Sequence, residues 1–159
     1  MKLAATALPD GRELVALAAG CDREDRAVTL LFQLDADRLD PPTRIATITE
    51  EHAGGNALSV AFVRRGERTW LLVVDGGYGV VAHEVTDPAS PRAAASWRVG
   101  PNPFDGHLDT PMDVAVHGEA AYVACARLGL VTLDLSTIED GRLSAVDVTD
   151  TPGLAYGVA

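Results

Sequence analysis

Residues 73–86 read VVDGGYGVVAHEVT, and residues 123–136 read VACARLGLVTLDLS. The two stretches align without gaps and place Gly79 over Gly129. Each contains two short apolar runs separated by a glycine-bearing turn, which is typical of a β-hairpin. An internal repeat of this kind indicates a fold built from similar, adjacent units.

Further short strands surround both hairpins, and a weaker third copy ends with TLLFQL at residues 29–34. Helical periodicity is almost absent, so the sequence predicts an all-β chain. The predicted strands are 14–19, 29–34, 44–49, 58–63, 70–74, 80–85, 92–99, 112–116, 121–124, 130–135 and 143–149.

The repeated unit holds four strands in about fifty residues, which is typical of a β-propeller blade. We therefore predict a single domain made of blades of four antiparallel strands, with the first strand of a fourth blade after the third complete one. The predicted blades lie at about 2–52, 56–106 and 110–150, and the start of the fourth lies at 153–159.

Three blades are too few to close a ring, because propellers close with about four to eight blades. An open arc leaves an apolar blade face and a strand edge in water. We expect either that copies of the chain complete the ring as a homo-oligomer or that the remaining blades belong to a longer chain. The end of the sequence inside the apolar run Val158-Ala159 slightly favours the longer chain.

Composition narrows the classes of partner. Thirteen basic side chains against 23 acidic ones give a net charge of −10, so we expect no nucleic-acid and no anionic membrane partner. No apolar run approaches the ~20 residues of a membrane helix, and the N-terminus lacks the apolar core of a signal peptide.

Cys21 and Cys125 make no disulfide framework and suit a reducing compartment. We predict a cytoplasmic protein.

In a propeller, the loops between the second and third strands of each blade lie on the same face as the loops between blades. We expect this loop face to bind the partner. The connection 99–111 is the longest, and its prolines and apolar tip make it a candidate recognition loop, although a plain connector packed on its own blade explains it equally well. The predicted binding residues are Asp75, Tyr78, Phe104, His107, Asp109 and Arg127.

His52, His107 and Asp109 form a candidate divalent-cation site, because imidazole and carboxylate groups suit such ions. Solvated loop residues are the commoner explanation for such side chains. No other cofactor is predicted.

Two strand residues receive structural interpretations. His83 stands where the next repeat has Leu133, which suggests an outward-leaning strand residue. Cys125 stands where the stretch 73–86 has Asp75, and a small buried residue explains it better than a thiol ligand does.

Several of these segments resemble a known repeat. Leu72-Val73-Val74-Asp75, Gly79-Val80-Val81 and Thr86-Asp87-Pro88-Ala89-Ser90-Pro91 resemble the body and exit loop of an LVIVD-type bacterial β-propeller repeat. Residues 151–159, TPGLAYGVA, resemble its opening. The first blade departs from this pattern, since Leu8-Pro9-Asp10-Gly11-Arg12 and Phe32-Gln33-Leu34 are closer to a WD-repeat blade without its Trp-Asp pair. The resemblance implies a propeller with a binding role and brings no catalytic motif.

We therefore predict a non-catalytic scaffold that binds protein or peptide partners through its loop face. Two alternatives stay open: part of a metal-dependent propeller enzyme, lactonase- or lyase-like, and an architectural segment that assembles with copies of itself. The sequence contains no Gly-x-Ser-x-Gly, no phosphate-binding glycine loop and no His-Glu-x-x-His motif. An enzyme is thus the less favoured of these hypotheses.

Overall fold

The computed structural model describes residues 2–34, 41–52, 54–100 and 109–159. Within these ranges the protein is all-β, as predicted, with a single short 3-10 turn at Ile138–Asp140. No helix in the described part of the chain is long and apolar enough to cross a membrane.

The strands fall into three groups of four, which we call the first, second and third meanders. The first contains β1 (Leu3–Ala7), β2 (Glu13–Cys21), β3 (Ala27–Leu34) and β4 (Thr43–Thr49). The second contains β5 (Ala57–Arg65), β6 (Arg68–Asp75), β7 (Gly79–Glu84) and β8 (Arg92–Arg98). The third contains β9 (Asp113–His117), β10 (Ala120–Cys125), β11 (Gly129–Asp134) and β12 (Ser144–Thr149).

Within each meander every strand pairs antiparallel with the next strand along the chain. A bridge between Gly20 and Ala57 joins β2 to β5, so the first two meanders form one strongly curled sheet. The third meander is a separate four-stranded sheet.

The second meander is the middle layer of the molecule. On β6, Leu71 and Val73 belong to an apolar cluster shared with the first meander, whereas Leu72 and Val74 belong to a cluster shared with the third. Both sides of β6 are therefore buried, which explains why it reads as a continuous apolar run instead of alternating with polar residues. The core consists of these two apolar clusters, one on each side of β6.

Gly79 and Gly129 open the third strand of their meanders. A β-carbon at Gly79 would collide with the carbonyl oxygen of Trp97, and one at Gly129 with that of Thr149. Gly129 also has a φ of +89°, a conformation that other residues rarely adopt. These two glycines, which match in the aligned stretches, are thus required because the fourth strand of each meander, β8 or β12, passes close to the backbone at the start of the third strand.

The structure differs from the predicted strands at both ends of the chain. β1 was not among the predicted strands, because its sequence, LAATA, is a short run of mainly small residues. In the structure its residues alternate between exposed and half-buried, and Leu3 is 66% exposed. It forms because each of its residues pairs with β2. The predicted first strand of a fourth blade, 153–159, is not formed; Ala155 makes an isolated bridge with Ala126, and no described neighbouring strand extends the ladder.

Asp113, at the start of β9, connects the three meanders through one buried carboxylate. Its Oδ2 accepts hydrogen bonds from Nζ of Lys2 (2.7 Å) and from the amide of Val158 (3.1 Å). Its Oδ1 accepts one from Oγ of Ser59 at 2.7 Å. Residues from the first and second meanders and from the C-terminal segment thus converge on a side chain that is 2% exposed.

We expect Asp113→Asn to lower the free energy of unfolding by about 2 kcal/mol at neutral pH, because it weakens hydrogen bonds made to a charged group. Burial acts to raise the pKa of Asp113, but hydrogen bonds from Lys2, Ser59 and the Val158 amide outweigh it and hold the pKa below its ordinary value of 3.8. The stabilisation is therefore complete above that value and is lost as the pH falls through the lowered pKa of the folded state.

Urea denaturation at neutral pH and at about pH 3 measures this effect. The gap between the native chain and Asp113→Asn should narrow at the lower pH. Asp140→Asn, which removes an exposed charge, is the control and should show a small change at both. An equal loss in the two variants would contradict the role assigned to Asp113.

Candidate functional site

A groove of about 640 Å³ lies between β4 of the first meander and β7–β8 of the second. It reaches from the loops after β4 and β6 to the turn before β8. Its lining residues are Thr47, Ile48, Thr49, Glu50, Glu51, His52, Tyr78, Val81, His83, Pro91, Ala93, Ala94, Ala95, Ser96 and Gly141.

A buried hydrogen bond crosses between the two meanders in this groove. Nε2 of His83 lies 2.7 Å from Oε1 of Glu50, and each residue is 5% exposed. On β7, Val80 and Ala82 belong to the cluster shared with the third meander, so alternation points His83 towards the first meander. The interpretation of His83 as outward-leaning is therefore wrong, because both sides of its strand are covered.

Asp75 organises the loop end of the groove. It ends β6, is fully buried, and accepts hydrogen bonds through Oδ1 from the amides of Asn56 (3.0 Å) and Gly77 (2.9 Å). The amide of Gly76 in turn donates to the carbonyl of Asn56 at 3.0 Å. The loop after β4 and the turn after β6 are thus held together by one carboxylate.

His52 and Tyr78 stack on each other above Asp75, with ring centroids 4.0 Å apart. Nε2 of His52 lies 3.1 Å from Oδ2 of Asp75 without the alignment of a hydrogen bond. The Tyr78 hydroxyl lies 3.3 Å from Oγ of Ser96, and the guanidinium of Arg98 lies 5.7 Å from the Tyr78 ring centre. The structure therefore brings together the predicted binding residues Asp75 and Tyr78 and the predicted metal ligand His52.

Asp109 and Arg127, two further predicted binding residues, meet at the next pair of loops. Oδ1 of the buried Asp109 accepts hydrogen bonds from the amides of Thr110 (3.0 Å) and Arg127 (3.3 Å). This carboxylate joins the loop before β9 to the turn after β10, as Asp75 joins the preceding pair. Acidic side chains at both positions thus hold loops together.

Phe104 and His107 lie outside the described residues. Within the described ranges, no three His, Cys, Asp or Glu side chains are grouped so that they could hold a metal ion. Since the predicted cation site of His52, His107 and Asp109 includes a residue outside these ranges, it stays a prediction.

The two cysteines have different surroundings. Cys125 is fully buried in the cluster between the second and third meanders, as expected of a small residue that fills its strand. Burial, and to a lesser extent the charge of Asp109, raises the pKa of the Cys125 thiol to about 12. Cys21 is exposed at the end of β2.

Neither the Glu50–His83 pair nor the contacts of Asp113 were predicted from the sequence. A partial signal existed for His83, because a polar residue in an otherwise apolar buried strand needs a hydrogen-bond partner. The identity of that partner depends on which residue of the preceding meander lies opposite. The same limit applies to Asp113, whose partners are 111, 54 and 45 positions away in sequence.

No protein-family model matches this chain, and no curated protein matches it at a significant level.

The Glu50–His83 pair supports a prediction about stability. His83→Leu should lower the free energy of unfolding by about 3–5 kcal/mol, because it leaves the Glu50 carboxylate buried without its partner. Adding Glu50→Val should recover most of that loss, since the third meander already has Leu133 at the position of His83, packed in one cluster with Val99. Urea denaturation of both variants measures the difference. A double variant no more stable than His83→Leu alone would contradict the unpaired Glu50 carboxylate as the cause of the loss.

The thiols should differ sharply in reactivity. In the native chain at mildly alkaline pH, a thiol reagent such as Ellman's should titrate Cys21 at once and Cys125 only after unfolding, because the thiolate is the reactive form. The Cys21→Ser variant, as control, should show no rapid phase. Rapid reaction of both cysteines in the native chain would contradict the burial of Cys125.

Proposed function

We propose that the three meanders are blades of a β-propeller and that the protein is a scaffold that binds a peptide or protein partner. Four-stranded antiparallel meanders in chain order, stacked face to face, support the propeller. The observation that carries the binding function is the groove between the first and second meanders. Its volume of about 640 Å³ is in the range of ligand-binding clefts.

The walls of the groove suit a peptide. Ile48, Val81 and Ala95 lie buried in the floor of the groove, and most of its exposed lining is polar, with His52, Tyr78 and Ser96 at one end. Polar groups of this kind can form hydrogen bonds with the main chain of an extended peptide.

The edge of β8 supports a peptide over a small molecule. β8 is the last strand of its sheet, and among the described residues no strand pairs with its second edge. An extended peptide can add to such an edge through main-chain hydrogen bonds while its side chains enter the groove beside it.

The loop-face residues extend this proposal. Asp75 and Tyr78 lie at the loop end of the groove, and Asp109 and Arg127 organise the next pair of loops. Phe104 and His107, in the connection between them, complete the binding residues predicted from the sequence. A partner that spans the groove and this connection would contact two adjacent meanders.

The metal-dependent enzyme has less support as an alternative. Two of its three candidate ligands have other contacts, since His52 stacks on Tyr78 and Asp109 accepts hydrogen bonds from loop amides. Binding of a cation at these side chains would have to replace or share those contacts.

Selection of a displayed random dodecapeptide library against the native chain tests the proposed function. Selected peptides should bind Ser96→Arg about tenfold more weakly than the native chain, because the long side chain occupies the polar end of the groove. Ser144→Arg is the matched control: Ser144 is also an exposed serine on the last strand of its meander, but it is not one of the residues that line the groove. Fluorescence anisotropy with labelled peptides gives the affinities.

The two arginine variants must first show the same circular dichroism as the native chain. Failure to select any peptide, or equal binding of selected peptides to both variants, would contradict a peptide site in this groove.

A further inference from the structure

The second and third meanders share one pairing register at an offset of fifty residues. Leu71 pairs with His83, and Ala121, fifty positions after Leu71, pairs with Leu133. The first meander follows the same register, with Val15 paired to Phe32. Residues of the three meanders can therefore be matched position by position.

This matching shows that each meander has two different faces. On β6, Leu71 and Val73 face the preceding meander, whereas Leu72 and Val74 face the following one. The matching residue of the third meander, Ala121, likewise lies in the cluster shared with the preceding meander. Inside the molecule, the following face of one meander always packs on the preceding face of the next.

Within the described ranges, one face of each type has no meander packed on it. The preceding face of the first meander presents Val15, Leu17, Leu30 and Phe32, all of them only half-buried. The following face of the third meander presents the half-buried Tyr122 and Leu130.

Among the exposed large apolar side chains of the described residues, Leu3 lies on the open face of the first meander, because it pairs with Leu17. Leu154 and Tyr156 follow the third meander. Val146 and Val148 lie on its last strand, where Val148 pairs with Val131 and therefore points to the side of the second meander. The middle meander contributes none of them.

We propose that the two open faces bind each other between two copies of this chain. The third meander of each copy packs on the first meander of the other, so that two equivalent contacts related by a twofold axis close the assembly. A second copy is the partner that fits, because it carries the matching half of an interface that the chain already forms twice within itself. Closed symmetric assembly of two copies is also the commonest oligomeric arrangement.

The internal interfaces predict which residues meet. Glu50 of the first meander contacts His83 of the second, and at matching positions Val99 and Leu133 lie in one cluster between the second and third. The amides of Glu50 and Val99 also make matching hydrogen bonds, to the carbonyls of Ala27 and Tyr78. By the same registers, Thr151 of the third meander matches Glu50 and Val99, and Phe32 of the first meander matches His83 and Leu133. At the proposed contact between copies, Thr151 of one copy therefore lies against Phe32 of the other.

Cross-linking tests this contact in a Cys21→Ser background, which removes the exposed native thiol. Phe32→Cys and Thr151→Cys chains are prepared separately, mixed in equal amounts and oxidised. We expect a disulfide-linked dimer in the mixture and none from either variant alone, because the two copies contact each other through different faces. Phe32→Cys mixed with Ser144→Cys is the matched control and should not cross-link.

Light scattering of the native chain supplies the second measurement. The expected mass is twice 16.7 kDa, and association should strengthen with salt, because each copy carries a net charge of −10. A monomer at every concentration, an open series of larger species, or equal cross-linking of each single-cysteine variant with itself would overturn the proposal. Circular dichroism of each cysteine variant separates loss of the contact from loss of folding.

Discussion

The seven buried residues of β6, from Thr69 to Asp75, depend on a covering layer on each side. Alternate side chains of this strand enter two different apolar clusters, one shared with the first meander and one with the third. If either neighbour were absent, a continuous apolar strand would face water. The order of the three layers therefore follows from the need to bury both sides of the middle one.

Apolar packing of this kind is not directional, so it does not by itself determine how one layer lies on the next. Directional contacts supply that information. Asp113 holds groups from the first and second meanders and the C-terminal segment on one carboxylate, and Glu50 reaches His83 across the groove. Asp75 and Asp109 do the same for successive pairs of loops. In each case a buried polar group obtains its partner from a distant part of the chain, which makes the arrangement specific.

The groove and the two open faces have a common physical origin. Meanders that pack through their middle strands leave space near their outermost strands, and β4 and β8 border such a space. At the ends of the stack the same kind of face has no neighbour within the described chain. The proposed peptide partner of the groove and the proposed second copy on the end faces would therefore use different surfaces of one layered architecture.

The all-β class, most strand positions and the repeated hairpin with its glycines could be predicted from the sequence alone, because these depend on local alternation and on turns that only certain residues allow. The sequence also placed Asp75 and Tyr78 together and indicated a buried Cys125. β1 escaped prediction, since a short run of small residues becomes a strand only through its pairing with β2. The partners of His83 and Asp113, and the stacking of His52 on Tyr78, were decided only by the tertiary structure. Each of these contacts joins residues far apart in the chain, and no local pattern specifies which distant side chain a buried polar group will meet.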